Sequence, residues 1–201
     1  MTIIGLCGGS GAGKGIVAKK FALYGIPSID ADAVYRDISV AGSPLLEELK
    51  LAFGKSIITS EGELDRRALA SLVFSEAGRI ERLPILNRIT HKAVIEETER
   101  RISDLAEKGL SAVIFDAPQL FESGFNARCD KIISVIADKE IRLSRIMNRD
   151  SITRERALSR IESQLSDEFF CKNSDFIIVN NGDVEQLGTA VAEIAEKILN
   201  K

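Results

Sequence analysis

The stretch that decides the fold of this chain is a glycine-rich turn near its start, Gly8-Gly9-Ser10-Gly11-Ala12-Gly13-Lys14-Gly15. It follows a short apolar run over residues 3–7 and precedes a helical pattern over residues 16–24. Such glycines let successive backbone N–H groups point into one concavity, to which the next helix adds its positive N-terminal end. The alternative is a turn that only closes a strand-to-helix connection. The pattern predicts a P-loop for a nucleoside triphosphate, with ATP contacts from Gly11, Ala12, Gly13, Lys14, Gly15 and Ile16.

One position departs from the P-loop pattern. Ser or Thr usually follows the lysine, and its hydroxyl ligates Mg²⁺, whereas this chain has Gly15 after Lys14. The phosphate cradle does not depend on that hydroxyl. The sequence therefore predicts nucleotide binding more directly than it predicts direct metal ligation by the loop.

Length and composition limit the classes of protein to consider. The 201 residues are 45% hydrophobic and 28% charged, which suits one domain with a sizeable core and a small inserted subdomain. The formal net charge of −3 gives no global positive field that would attract nucleic acid. No run approaches the roughly 18 apolar residues of a membrane span, and no signal segment is evident. We expect a cytoplasmic protein that contacts neither nucleic acid nor a membrane.

The cysteines and the histidine argue against a structural metal and against disulfides. Cys7, Cys129 and Cys171 are odd in number, lie far apart and show no C-x-x-C spacing, and His91 is the only histidine. Structural zinc and a disulfide framework are therefore not expected.

Short apolar runs alternate with helical patterns along the chain. The runs cover residues 3–7, 27–29, 112–115, 131–136 and 176–179. This alternation predicts an α/β fold with a five-stranded parallel sheet flanked by helices and with sites at the carboxyl edge of the strands. Residues 34–110 are expected to form a helical insertion, which includes a long amphipathic helix over 83–105, beside a core of about 1–33 and 111–201.

Carboxylates follow two of the predicted strands. Asp30 and Asp32 come directly after the second strand, where we expect Asp32 to orient an acceptor hydroxyl and take its proton in phosphoryl transfer. Asp116 ends the third strand, where P-loop enzymes often keep an acid that organises Mg²⁺. The alternatives are a helix cap for Asp32 and a turn before Pro118 for Asp116. Asp32 and Asp116 are thus the expected protein groups around Mg²⁺.

Arginines recur on one face of the helix expected to begin near Asp138. They are Arg142, Arg145 and Arg149, and a second helix beyond a polar break carries Arg156, Arg160 and Gln164. Such a helix pair suits a lid, at about residues 145–165, that closes over ATP and places a guanidinium against the transferring phosphoryl group. The alternative is a solvated charged face.

The last predicted strand runs into Asn180-Asn181-Gly182. The two amides are expected to hydrogen-bond a purine edge of ATP at the rim of the sheet. A simple Asn-Gly turn explains the same residues.

These segments together resemble the dephospho-CoA kinase family over nearly the whole chain. The matching pieces, in the family's order, are the P-loop, Ile29-Asp30-Ala31-Asp32, Asp116-Ala117-Pro118-Gln119-Leu120-Phe121-Glu122, Arg149-Asp150 and Asn180-Asn181-Gly182. The resemblance implies ATP-dependent phosphorylation of the ribose 3′-hydroxyl of dephospho-CoA, the last step of coenzyme A synthesis. It also implies a P-loop kinase core, a helical CoA-side domain and an Arg-bearing lid.

The same resemblance implies roles for particular residues. Asp32 and Lys14 match the family's catalytic aspartate and phosphate-binding lysine, and Arg145 and Arg149 lie where phosphates are contacted. Acceptor contacts are implied for Arg66, His91, Asp116 and Pro118. The chain departs from the family at Gly15, at Cys7 where Thr is common, at Gln119 where Leu is common, and at Lys92 where many members have Pro.

Two other functions fit part of the pattern. A different small-molecule P-loop kinase would share the core and the lid, but the Ile29-Asp30-Ala31-Asp32 loop and the size of the insertion argue against it. A nucleotide-binding regulator would explain Gly15, but it would have no need of Asp32 as a base.

Overall fold

The computed structural model describes residues 1–200 as alternating strands and helices. The strands are β1 (Thr2–Cys7), β2 (Ser28–Asp30), β3 (Ala112–Asp116), β4 (Lys131–Ile136) and β5 (Phe176–Val179). The helices are α1 (Lys14–Ala22), α2 (Ala31–Ile38), α3 (Pro44–Phe53), α4 (Arg66–Val73), α5 (Glu76–Glu81), α6 (Leu83–Glu107), α7 (Lys139–Asp150), α8 (Arg154–Glu162), α9 (Asp167–Lys172) and α10 (Val184–Leu199). Short 3₁₀ helices cover Lys55–Ile57 and Phe125–Arg128.

The five strands form one sheet in the order β2-β3-β1-β4-β5, and every neighbouring pair is parallel. The predicted five-stranded parallel sheet is therefore confirmed, with strand bounds within one residue of those expected from the sequence. Because β1 lies at the centre and the chain continues to both sides of it, the loop after β1 opens at the point where ligands of such sheets bind.

Apolar side chains of the central strands are covered by helices. Ile4, Leu6, Ile114 and Ile133 are fully buried and share one core with residues of α1 and α10. A parallel sheet with covered faces needs such continuous apolar strands. The packing leaves no room for a side chain at Gly5, because a Cβ there would lie 2.7 Å from Leu120 Cδ2.

The chain divides into two compact units. One contains residues 1–30 and 104 onward, with the sheet, and the other contains residues 31–103. The second unit has its own core, built by Leu45, Leu49, Ile57, Leu69, Val73 and Ile89. The helices α2 to α5 and most of α6 belong to this second unit.

The long helix expected over 83–105 is present as α6, and charged residues near its C-terminal end form ion pairs. Arg101 donates to Glu97 at 2.7 Å and to Asp37 of α2 at 2.9 Å. Hydrogen bonds from Arg100, and secondarily from Arg101, hold the pKa of Glu97 at about 2. Arg101 thus ties α6 to α2.

None of the helices in residues 1–200 combines the length and the apolar character that a membrane crossing requires.

Candidate active site

The glycine-rich turn connects the end of β1 to the start of α1, as the sequence predicts. Gly13 precedes α1 with φ of 98°, and Gly11 has φ of 80°, a left-handed region that favours glycine. A Cβ at Gly11 would also lie 2.7 Å from the carbonyl oxygen of Arg142, and one at Gly13 would collide with the Asn180 amide nitrogen. Lys14 Nζ donates to the Gly8 carbonyl at 3.2 Å, which places the ammonium over the loop.

Side chains outside the loop hold its carbonyl groups. Arg142 Nε donates to the Ser10 carbonyl at 2.9 Å, Arg145 Nη1 to the Gly11 carbonyl at 3.2 Å, and Asn180 Nδ2 to the Ala12 carbonyl at 2.7 Å. These donors draw the carbonyls outward. The N–H groups at the start of α1, beginning with Lys14 and Gly15, have no intrahelical acceptor and carry the positive end of the helix. The arrangement suits an anion as the ligand of the loop.

Two of the three arginines on α7 hydrogen-bond carbonyl groups of this loop. Arg145 is half-buried, and its Nη1 also donates to the Asn180 carbonyl at 3.0 Å. Arg142 is only 4% exposed and pairs with Asp167 at 2.9 Å. The sequence suggests a triphosphate as the partner of this arginine stripe, but the anion beside Arg142 is a carboxylate of α9.

Arg149, the third arginine of α7, is exposed and lies against an acid. Its guanidinium donates to both carboxylate oxygens of Asp150, at 2.7 and 2.9 Å, and Arg160 of α8 contacts the same carboxylate. Hydrogen bonds from Arg149, and to a lesser extent from Arg160, hold the pKa of Asp150 at about 2. Asp150 therefore stays ionised, and the pair is formed over the whole physiological pH range.

Two of the predicted carboxylates meet at the carboxyl edge of the sheet. Asp30 of β2 and Asp116 of β3 are register partners, and Asp116 is also the partner of Leu6 in β1, immediately before the loop. Pro118 lies exposed two residues after Asp116. Carboxylate oxygens are ligands that Mg²⁺ accepts, usually one or two beside nucleotide phosphates and water. Within residues 1–200 the structure has no group of three or more His, Cys, Asp or Glu side chains that could hold a metal ion.

The asparagines after β5 are engaged by the protein itself. Asn180 is only 4% exposed, and its side-chain amide is used on the Ala12 carbonyl. Asn181 Oδ1 accepts from the backbone N–H of Asp138 at 2.9 Å, at the start of α7. In this arrangement, side-chain contact with a purine remains a prediction, while the support of the loop by Asn180 is observed.

Asp32 and two of the residues implied on the acceptor side, Arg66 and His91, lie in the unit of residues 31–103. Asp32 is exposed in the first turn of α2, inside the helix rather than before it. Arg66 begins α4, which Asp65 caps by accepting from two backbone N–H groups. The Arg66 guanidinium lies 5.5 Å from the centre of the Tyr35 ring, a cation–π distance. His91 is half-buried in α6.

Sequence reasoning missed three features of these sites. Tyr35 beside Arg66 carries no motif, although its place one turn after Asp32 is a usable signal. The support of the loop by Asn180 and the hydrogen bonds between Gln164 and Ser10 join residues more than 150 positions apart. Local patterns do not reveal contacts of that separation.

The five-stranded parallel sheet, the loop on its central strand and Lys14 over that loop define a P-loop kinase. The family model described as dephospho-CoA kinase matches residues 2–186. This chain belongs to the dephospho-CoA kinase family, as the resemblance of its motifs predicts.

Individual relatives agree with this assignment. A dephospho-CoA kinase of Fusobacterium nucleatum is 42% identical over 197 residues, with 98% of both chains covered. A protein of Thermus thermophilus with a known crystal structure is 33% identical, with a TM-score of 0.81 over 98% of this chain and 97% of that one. The structure of a dephospho-CoA kinase from Campylobacter jejuni is 26% identical, with a TM-score of 0.70 over 98% and 96% of the two chains.

Proposed function

We propose that this chain transfers the γ-phosphoryl group of ATP to the ribose 3′-hydroxyl of dephospho-CoA, giving CoA and ADP. The observation that carries the proposal is the family match over residues 2–186. In this chain the central strand leads into a P-loop whose carbonyl groups accept hydrogen bonds from Arg142 and Asn180. The new bond joins the 3′-oxygen to the γ-phosphorus, and the bond from that phosphorus to the β–γ bridging oxygen breaks.

Asp32 is the proposed general base. Its carboxylate is exposed in the first turn of α2 and accepts no hydrogen bond within residues 31–103, so it is available to an incoming hydroxyl. It would orient the 3′-hydroxyl and take its proton as the oxygen attacks.

The loop and its cations are proposed to bind ATP. Backbone N–H groups of residues 11–16 would cradle the phosphates, and the Lys14 ammonium would neutralise the β- and γ-oxygens. Arg145 is already held at the loop through the Gly11 carbonyl, and Arg149 would exchange Asp150 for the transferring phosphoryl group. Asn180 and Asn181 are proposed to hydrogen-bond the purine of ATP, because they directly follow β5.

Mg²⁺ is the proposed metal partner of ATP. Asp116, with Asp30 beside it in register and with Asp32 as a further candidate, is the carboxylate proposed to organise the ion, which would add positive charge at the phosphates when bound. Gly15 has no side chain to offer the ion, so a water molecule would take the place of the usual hydroxyl.

Acceptor binding is proposed for Arg66 and His91 in the unit of residues 31–103 and, separately, for Asp116 and Pro118 in the unit that contains the sheet. The Arg66 cation, supported by the Tyr35 ring, suits the diphosphate of dephospho-CoA, and His91 is proposed as a further contact. The helical insertion predicted at about 34–110 overlaps this unit over residues 34–103.

A lid is proposed for about residues 145–165. The helices α7 and α8, which this segment joins, pack together through Leu143, Ile146 and Ala157. Ser151, between them, has φ of 52°, which is uncommon outside glycine.

We also propose a cytoplasmic location. Cys7, Cys129 and Cys171 are free thiols, the usual state in a reducing compartment. Burial raises the pKa of Cys129 to about 12, so this thiol stays protonated and unreactive.

The proposed reaction is tested by a substrate panel. ADP formation should depend on dephospho-CoA and should remain at background with shikimate, adenosine or gluconate in its place. ADP formation that is equal with another acceptor would contradict the assignment to dephospho-CoA. ATP binding without turnover on any acceptor would favour a regulator.

Arg149→Ala is expected to lower kcat by about 10- to 100-fold while the KM for dephospho-CoA changes little, because the guanidinium acts on charge that develops in transfer. The matched control is Arg154→Ala. Arg154 is also exposed and also paired to an acid in two-point fashion, with Glu140 at 2.7 and 2.9 Å. Steady-state kinetics decide the question, and an unchanged kcat for Arg149→Ala would place this residue on a merely solvated face.

Gly15→Ser is expected to lower the Mg²⁺ concentration for half-maximal activity, because a hydroxyl at this position enters the metal shell directly. Gly15 lies in α1, and an added Cβ meets no atom within 4 Å, so the substitution should not strain the fold. Gly15→Ala is the matched control, since it adds the Cβ without the hydroxyl.

The measurement is a Mg²⁺ titration at saturating ATP and dephospho-CoA. Identical midpoints for the three proteins would show that the hydroxyl has no effect. Activity in Gly15→Ser alone, with none in the natural chain, would favour the regulator.

A further inference from the structure

Gln164 lies two residues after the end of α8 and hydrogen-bonds Ser10 of the P-loop. Ser10 belongs to the turn over residues 9–12, which we call the outer turn. Gln164 Oε1 accepts from the backbone N–H of Ser10 at 2.8 Å, and its Nε2 donates to Ser10 Oγ at 3.2 Å. Arg142 Nε takes the Ser10 carbonyl at 2.9 Å. One loop residue thus has its N–H, its carbonyl and its hydroxyl all bound by side chains from outside the loop.

The other side of this contact is also fixed. The backbone N–H of Gln164 donates to the Ile161 carbonyl at 3.2 Å, which ties Gln164 to the last turn of α8. Ile161 packs with the cluster of Leu143, Ile146 and Ala157 that joins α8 to α7. Gln164 therefore links a packed helix pair, not a free loop, to Ser10.

Holding Ser10 has a consequence for the residues that follow it. The Ala12 N–H closes a turn onto the Gly9 carbonyl at 3.1 Å, so Ser10 and Gly11 are the two residues inside that turn. A fixed Ser10 sets the direction of the peptide groups from Gly11 onward, which face the proposed phosphate site. Hydrogen-bond donors that are oriented in advance bind phosphate without a cost of reorganisation.

We propose that Gln164 is a positioning residue for ATP binding. It acts through Ser10, so the affinity of the P-loop for ATP depends on how α8 is packed. This inference rests on the proposed kinase function. It predicts that loss of Gln164 loosens the outer turn and weakens ATP binding, while the acceptor side stays intact.

The test compares kinetic constants and the Kd for ATP, by calorimetry, between the natural chain and three variants. Gln164→Ala should raise the KM and Kd for ATP about tenfold, the effect of losing hydrogen bonds of ordinary strength. The KM for dephospho-CoA should stay within about twofold, because the side-chain hydrogen bonds of Gln164 go to Ser10 of the loop. Gln164→Met keeps the length of the side chain without its polar atoms and should behave like the Ala variant. Gln186→Ala, an exposed position of α10, is the matched control and should be unchanged.

A double-mutant cycle separates a positioning role from a purely structural one. Ser10→Ala removes the hydroxyl and leaves the backbone contact, so it should have a small effect, and adding it to Gln164→Ala should cost no more. A KM for ATP unchanged in Gln164→Ala and Gln164→Met would overturn the inference. A lower kcat with unchanged ATP affinity, as expected from a smaller folded fraction, would overturn it as well. If the natural chain itself fails to phosphorylate dephospho-CoA but loses ATP affinity on Gln164→Ala, the proposed function is wrong and the positioning role stands.

Discussion

Replacing Lys14 by Ala is expected to lower kcat/KM for ATP by about 10²- to 10³-fold or more, the range for removing a donor aimed at developing charge. The ammonium already rests over the loop, 3.2 Å from the Gly8 carbonyl. It is therefore placed to turn from that carbonyl to the β- and γ-oxygens of ATP. Turnover at saturating and at limiting ATP gives the two constants.

Lys19→Ala is the matched control for this experiment, since Lys19 lies exposed on the same helix, α1. Its kinetics should equal those of the natural chain. Near-normal kcat/KM in Lys14→Ala would contradict the assignment of residues 8–15 as a working P-loop.

Asp32→Asn is expected to reduce kcat by about 10²- to 10⁴-fold with ATP affinity largely kept, the usual range for loss of a general base. Asn has nearly the same shape and occupies an exposed position in the first turn of α2, so the fold should be preserved. Steady-state kinetics give kcat, and calorimetry gives the Kd for ATP.

Asp30→Asn serves as the comparison for Asp32→Asn. Asp30 is two residues away and exposed, but it ends β2 in register with Asp116, so its loss should act on metal dependence rather than on proton transfer. Collapse of ATP binding with surviving turnover in Asp32→Asn would make Asp32 a structural or metal residue. A larger kcat loss in Asp30→Asn would transfer the role of base to Asp30.

Much of the fold follows from local patterns. Each of the five strands is an apolar run bounded by turn residues, and the glycines at 11 and 13 have the positive φ that a P-loop requires. The long helix α6 follows from its spacing of apolar residues. These features depend on neighbours in sequence, and so the sequence alone predicts them.

The bracing of the loop does not follow from local patterns. Arg142 has the same helical spacing as Arg145 and Arg149, yet it is buried against Asp167 while Arg149 is exposed beside Asp150. Asn180 has the sequence of a turn, but its amide holds Ala12, 168 positions away. The difference lies in tertiary packing, which decides whether a polar side chain supports a backbone or meets a ligand.

The central claim is the transfer of phosphate to one particular hydroxyl, and the most direct measurement is ³¹P NMR of the product formed from ATP and dephospho-CoA. We predict a new phosphomonoester signal coupled to the ribose H3′ proton, with one equivalent of ADP. At limiting ATP this signal should form about 10²-fold or more slowly when Lys14→Ala replaces the natural chain. A phosphomonoester on another hydroxyl, or ADP formed with inorganic phosphate as the only other product, would contradict the account.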